Sequence, residues 1–113
     1  MREIIVNEIP KLNKCLQSLS EYYNEVSNNF KGSYPSRPYK ETLQLFEEAI
    51  TSNLSKIAVI EKDNDFIGFC KVDICGENGI LDYLSVLKEY RAMGYGKALM
   101  DWAMDTFKKC GVR

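Results

Sequence analysis

The chain has 113 residues, of which 45% are hydrophobic, so we expect one core and a single domain over residues 1–113. Its 15 basic and 16 acidic residues give a net charge of −1, which provides no overall positive field to attract nucleic acid. The absence of histidine excludes Ser-His and Cys-His nucleophile pairs, histidine zinc sites and a histidine general base.

The first half of the chain predicts a short strand followed by two helices. Three apolar residues at positions 4–6 are typical of a strand, and Pro10 follows where the first turn of a helix tolerates proline. A turn-rich stretch, 27–38, predicts a loop before a second helix that begins near Pro38. The first helix is indicated by apolar side chains at helical spacing: Ile9, Leu12, Leu16, Leu19, Tyr23 and Val26.

The second half predicts three strands and a final helix. Short turns at 63–65 and 76–79 separate the apolar runs 56–61, 66–75 and 80–87, which favours an antiparallel meander. A last amphipathic segment from about 94 to 110 predicts a helix. The order of strand, two helices, three strands and helix is typical of an α+β fold.

The four cysteines are irregularly spaced, and the start of the chain lacks the pattern of a signal peptide. We therefore expect buried thiols and a cytoplasmic protein. No apolar run approaches the roughly 20 residues that span a bilayer, so no membrane contact is expected. No metal site is expected either.

Two glycines one residue apart, Gly94 and Gly96, lie between the last predicted strand and the last helix. The first amides of a helix have no intrahelical acceptors and carry partial positive charge, so an anion such as phosphate fits there. Arg91 and Lys97 can add positive charge. The alternative is that the two glycines only form a tight turn.

Two familiar phosphate loops do not match this segment. The dinucleotide fingerprint requires a third glycine where the chain has Leu99, and it requires a parallel βαβ unit. The P-loop requires Ser or Thr where the chain has Ala98. Nucleotide hydrolysis is therefore not expected.

Residues 84–100 resemble the acetyl-CoA motif of the GNAT superfamily of N-acetyltransferases, in which Arg/Gln-x-x-Gly-x-Gly/Ala follows a strand. Lys88 stands where proline is common in the family, and Ala92 stands where glycine is common. The positions that match the motif are Leu84, Val86, Glu89, Tyr90, Arg91, Gly94 and Gly96.

The resemblance implies an acyl-CoA N-acyltransferase-like fold with a mixed, mainly antiparallel sheet and flanking helices. It implies transfer of an acetyl group from acetyl-CoA to a primary amine of a small molecule or protein. The pantetheine arm would pair with Leu84, Ser85 and Val86, and the backbone amide of Val86 would polarise the thioester carbonyl. Arg91 would begin the loop that binds the pyrophosphate. The backbone amides that contact the pyrophosphate would be those of Ala92, Met93, Gly94, Tyr95, Gly96 and Lys97.

The acceptor amine needs a base or an anchor, because an alkyl amine is protonated at neutral pH. On a regular strand Asp82 shares a face with Leu84 and Val86, so it is our candidate for either role. The alternative is an edge-strand carboxylate that faces solvent. Asp73, on the preceding strand, is a second candidate.

Members of the family commonly build the rim of the site for the acceptor amine from the connection between the first two helices. In this chain that connection is the predicted loop 30–39. Tyr34 and Tyr39 would stack on an acceptor or donate hydrogen bonds to it. The alternative is that these tyrosines pack over the second helix.

In the family, the phosphate helix is followed by a further strand, another helix and usually two more strands, whereas this sequence stops at Arg113. The chain is then a fragment, a fold completed by a partner, or a module that no longer catalyses. In the last case it would bind coenzyme A or a protein partner through the exposed strand 80–87. Such an edge also predicts a homo-oligomer.

Overall fold

The computed structural model describes residues 1–26 and 38–112. These residues form a four-stranded antiparallel sheet in the order β1-β2-β3-β4, flanked by α-helices. Two short 3-10 segments, Val6–Leu12 and Lys88–Tyr90, connect the elements. The elements are β1 (Arg2–Glu3), α1 (Asn13–Val26), α2 (Tyr39–Thr51), β2 (Ser55–Lys62), β3 (Asp65–Cys75), β4 (Asn78–Val86) and α3 (Tyr95–Lys109). The predicted α+β element order is confirmed.

The first strand lies before the position that the sequence predicts. Residues 4–6 were expected to form it, but β1 covers Arg2–Glu3 and pairs with β2. The N–H of Ile4 still donates to the carbonyl of Ile57 over 2.9 Å. The next N–H, that of Ile5, donates instead to the carboxylate of Glu8 over 3.0 Å. This local bond turns the chain into the 3-10 segment and ends the strand.

Both predicted helices of the first half are present, with one change at the start. Pro10 lies inside the 3-10 segment rather than in the first turn of a continuous helix, and α1 begins only at Asn13. Helix α2 begins directly after Pro38, as predicted. The N–H groups of Glu41 and Thr42 donate to the carbonyl of Pro38, which fixes the start of α2.

The helices cover opposite faces of the β3–β4 hairpin. On one face, a Cβ at Gly68 would lie 3.5 Å from the Leu99 side chain of α3. On the other face, the Phe46 ring of α2 lies 6.1 Å from the ring of Phe69. The core between these layers is fully apolar at its centre; its largest buried side chains are Phe66, Phe69, Ile9, Leu12, Ile57, Ile67 and Leu99.

The four cysteines do not share one environment. Burial raises the pKa of Cys15 to about 12 and that of Cys70 to about 11, so these two are the inert thiols that were expected. Cys75 and Cys110 are exposed, so the expectation was wrong for them. Cys75 is the last residue of β3, and Cys110 directly follows the last residue of α3, so both lie outside the core. Among the described residues, no helix has the length and apolarity to cross a membrane.

Candidate functional site

The start of α3 presents backbone N–H groups without acceptors in the helix. Gly94 is the N-cap and adopts the left-handed conformation, with φ of 87°. Its carbonyl accepts the N–H of Ala98 over 3.1 Å. The N–H groups of residues 95–97 therefore precede the first intrahelical bond, and with the helix dipole they can receive an anion.

The space above these amides is open. A Cβ at Gly94 or at Gly96 would meet no atom within 4 Å. The positive φ of Gly94 explains its lack of a side chain, but Gly96 has neither a positive φ nor a crowded neighbour. Nothing in the described fold itself therefore requires glycine at position 96, whereas a closely approaching ligand would require it.

Arg91 fixes this loop to the end of β4. Its Nε donates to the carbonyl of Val86 over 3.0 Å, and its guanidinium lies 5.2 Å from the ring centre of Tyr22 on α1. Lys97 extends from the first turn of α3 and pairs with Asp101 over 2.9 Å while remaining largely exposed. The guanidinium thus positions the loop, and Lys97 supplies exposed positive charge beside it.

The outer edge of β4 offers backbone groups next to the loop. The N–H of Leu87 donates to the carbonyl of Ile67 on β3 over 2.8 Å. Because backbone groups alternate along a strand, the groups of Ser85 also point to β3, while those of Leu84 and Val86 point outward. The Ser85 hydroxyl is buried and has no hydrogen-bond partner among the described residues. Leu84 and Val86 therefore present the open edge.

A β-bulge changes the predicted direction of Asp82. The pairing of β3 with β4 runs from Lys71 with Tyr83 to the next pair, Val72 with Leu81, which leaves Asp82 as the extra residue. The expectation that Asp82 shares a face with Leu84 and Val86 was wrong, because it assumed a regular strand. Asp82 instead lies on the α2 side of the sheet, together with Lys71.

A buried lysine joins the two candidate carboxylates. The ammonium of Lys71 lies 2.6 Å from Oδ1 of Asp73 and 2.7 Å from Oδ2 of Asp82, and only 6% of its side chain is exposed. Ser55 Oγ donates to the same oxygen of Asp73 over 2.5 Å. Burial alone would lower the pKa of Lys71, but the hydrogen bonds and charges of the two aspartates outweigh it and raise that pKa.

This cluster forms the floor of a cavity of about 500 Å³ that lies between α2 and the β3–β4 hairpin. Phe46 and Tyr83 form its aromatic wall, with ring centres 5.1 Å apart in an edge-to-face contact. Sequence reasoning missed Lys71, although a single lysine inside the apolar run 66–75 was a signal that a buried charge needed partners.

The cavity above Lys71 has a volume of about 500 Å³ and is separate from the groove of about 780 Å³ that lies between the first 3-10 segment and α2. Tyr39, a candidate for the acceptor rim, is the first residue of α2 and packs half-buried against the core rather than lining the smaller cavity. This placement favours the packing alternative for Tyr39. Tyr34 lies outside the described residues.

Within residues 1–26 and 38–112, no group of three or more Cys, Asp or Glu side chains could hold a metal ion.

Solved structures with this fold include several acetyltransferases. The PaiA N-acetyltransferase from Thermoplasma acidophilum in complex with coenzyme A is 24% identical, with a TM-score of 0.80 over 98% of this chain and 72% of that one. A predicted acetyltransferase from Clostridium acetobutylicum with acetyl-CoA is 14% identical, with a TM-score of 0.76 over 99% of this chain and 75% of that one. At these identities the likeness shows the fold alone.

A third similar structure is AAC(6')-Iy in complex with the bisubstrate analogue CoA-S-monomethyl-acetylneamine. It is 17% identical, with a TM-score of 0.74 over 99% of this chain and 73% of that one. No curated protein matches the sequence. The family model for the acetyltransferase (GNAT) family matches residues 18–113, which run from within α1 through α2, the three strands β2, β3 and β4, the glycine loop and α3. The chain therefore belongs to the acetyltransferase (GNAT) family.

Proposed function

We propose that residues 1–113 are a partial N-acetyltransferase domain that binds acetyl-CoA and transfers its acetyl group to a primary amine. The observation that carries the proposal is the open space above Gly96, a glycine that the fold itself does not require. A Cβ there would fill the approach to the free amides at the start of α3. The family match over residues 18–113 supports the same reaction class.

The coenzyme pyrophosphate is received by the N–H groups of residues 92–97. The helix dipole stabilises negative charge at this end, and Lys97 adds a cation from the first turn. Arg91 acts chiefly by holding the loop against Val86, since its Nε already donates to that carbonyl. The pantetheine arm pairs with the outward backbone groups of Leu84, as an added strand does, and the N–H of Val86 is kept for the thioester.

Acetyl-CoA supplies an activated acetyl group when it is bound. The outward N–H of Val86 lies at the edge where it can donate to the thioester carbonyl, so that negative charge developing on this oxygen is stabilised. The acceptor approaches from the cavity on the other side of β4. It is an ammonium at neutral pH, so it would have to leave its carboxylate and lose a proton to water before its nitrogen attacks the thioester carbon. The C–S bond would then break, and the coenzyme A thiolate would leave and take a proton from water.

Asp82 anchors the acceptor amine. Among the described residues, its Oδ2 accepts from Lys71, which leaves Oδ1 for the ammonium of the acceptor. The bulge that displaces Asp82 points it into the cavity rather than along the coenzyme edge. An anchor that binds ground state and transition state alike changes KM more than kcat.

Turnover with named amines tests the proposal. The chain is incubated with acetyl-CoA and hexylamine, spermidine or an alanine-terminated tripeptide, and the N-acetylated product is measured by mass spectrometry. We expect product with at least one amine, a raised KM for Asp82→Asn, and no product for Gly94→Asp, which places a carboxylate against the phosphate site. Asp63→Asn, in the β2–β3 turn, is the matched control. Absence of acetyl-CoA binding and of product from the wild-type chain would overturn the proposal.

The exposed edge of β4 favours a second candidate function, in which a protein partner adds a strand there. No described strand pairs with this edge, and Ile80 at its start is 61% exposed. A second copy of the chain is the simplest partner. Sedimentation equilibrium tests self-association through this edge. We expect the wild-type chain to form dimers and Ile80→Lys to weaken them, and a wild-type chain that stays monomeric at all concentrations would contradict this function.

A further inference from the structure

We infer that the cavity between α2 and the β3–β4 hairpin takes a primary amine with one ammonium group and an unbranched apolar body. The inference rests on the proposed function, because it names the acceptor class of that same site. It follows from three features: the net charge of the floor, the oxygens that remain available on it, and the apolar rim.

The floor carries one net negative charge. Lys71 contributes one positive charge and the carboxylates of Asp73 and Asp82 contribute two negative charges, all within direct contact. A single ammonium group neutralises this floor. A neutral ligand would leave the net negative charge of the floor uncompensated, and an anionic ligand would add to it.

The floor also has acceptor atoms free for that ammonium. Among the described residues, hydrogen bonds to Asp73 reach Oδ1, and those to Asp82 reach Oδ2. Oδ2 of Asp73 and Oδ1 of Asp82 therefore remain to accept N–H donors from a ligand. Both side chains are about one-third exposed, and both line the cavity.

The rim of the cavity is apolar and open. Leu45, Leu54 and Ile80 line it, and their side chains are 46%, 55% and 61% exposed. An alkyl chain that extends from the floor would cover these side chains and remove apolar surface from water. A second ammonium on the same chain would have to lie among these apolar side chains and give up part of its hydration there.

Charge and apolar surface thus select different ends of one ligand. The ammonium binds the floor, and the alkyl body binds the rim, so affinity should rise with chain length and fall when the far end becomes charged. Lys71 sets this specificity by compensating one of the two carboxylates.

Calorimetric titration of amines into the full chain at neutral pH, without coenzyme, tests the inference. Hexylamine is expected to bind about tenfold more tightly than propylamine, because three more methylenes meet the rim. Hexan-1-ol and 1,6-diaminohexane are each expected to bind at least about tenfold more weakly than hexylamine. Equal affinity for hexylamine and 1,6-diaminohexane would overturn the inference.

Exposed rim variants locate the binding without disturbing the core. Leu54→Ser and Ile80→Ser should each reduce the preference for hexylamine over propylamine severalfold, while Met104→Ser, an exposed change on α3 outside the cavity, should leave it unchanged. An unchanged preference in both rim variants would overturn the inference.

A separate acetyl-CoA titration distinguishes the two proposals. Coenzyme binding without hexylamine binding would overturn the amine class alone. Hexylamine binding without coenzyme binding would support the amine class and overturn the acetyltransferase proposal.

Discussion

Arg91 donates through Nε to the carbonyl of Val86, the last residue of β4, over 3.0 Å. This bond ties the loop of residues 91–94, the proposed coenzyme site, to the strand edge that is proposed to hold the pantetheine arm. The same guanidinium lies over the ring of Tyr22, so α1 supports the loop from its other side.

Arg91→Met should therefore weaken acetyl-CoA binding by about tenfold, because the loop and the strand edge lose their fixed relationship. Lys88→Met is the matched control, since it removes an exposed cation from the same region without removing a hydrogen bond to Val86. Calorimetry measures both. Equal losses in the two variants would show that charge alone, rather than the positioning of the loop, accounts for the effect.

Lys71→Met should destabilise the protein by about 3 kcal/mol, because it leaves Asp73 and Asp82 without their buried cation. Urea unfolding measures this loss. The triple variant with Asp73→Asn and Asp82→Asn should recover part of it. The pKa of Lys71 is raised in the folded protein, so its stabilisation is fully present below the ordinary value of 10.5 and is lost as pH rises through the folded pKa. A fully stable Lys71→Met variant would contradict this role.

Gly79→Ala should destabilise the fold by about 1–3 kcal/mol. A Cβ at this position would lie 2.6 Å from the Phe107 ring and 3.0 Å from Val112, so either these side chains or α3 itself would have to move. Thermal unfolding measures the change. Gly96→Ala is the control on the same helix–sheet unit, since its Cβ meets no atom within 4 Å. Equal melting temperatures for Gly79→Ala and the wild type would show that Phe107 moves aside freely.

Glu8→Gln should flatten the acid side of the stability profile. The hydrogen bonds from Arg2 and from the N–H of Ile5 lower the pKa of Glu8 from 4.5 to about 2. A carboxylate with a lowered pKa stabilises the folded state above its unfolded value, so this contribution is lost as pH falls from 4.5 towards 2. Unfolding followed across that range tests the prediction. Glu47→Gln, an exposed carboxylate on α2, should leave the slope unchanged, and an identical slope for both variants would count against it.

The fold was predictable where its signals are local. Apolar runs separated by short turns predicted β2, β3 and β4, and the glycines before an amphipathic segment predicted the start of α3. The first strand was placed wrongly because the bond from Ile5 to Glu8 competes with strand pairing, and apolar composition does not reveal such a bond. Ala92 is a further example: its φ of 66° explains why glycine is common there in the family.

The acceptor side of the site depends on register, which the sequence does not encode locally. Asp82 faces α2 only because a bulge adds one residue to β4, and a one-residue change of register moves a side chain to the other face. Ser55 meets Asp73 only because β2 pairs with β3 in the observed register, whereas Lys71 and Asp73 are two residues apart on β3 and share a face of the sheet. The loop of residues 91–97 needs no such long-range alignment, so the motif alone was enough to propose it as the coenzyme site.

The most direct test of the coenzyme site is a calorimetric titration of acetyl-CoA into the wild-type chain and into Gly96→Ala. Because a Cβ at position 96 causes neither a clash nor strain, the melting temperature should stay the same or rise slightly. We predict saturable binding to the wild type and at least about tenfold weaker binding to the variant, since the added methyl group occupies the approach to the free amides. Equal affinities, or no binding by the wild-type chain, would contradict a coenzyme site at the start of α3.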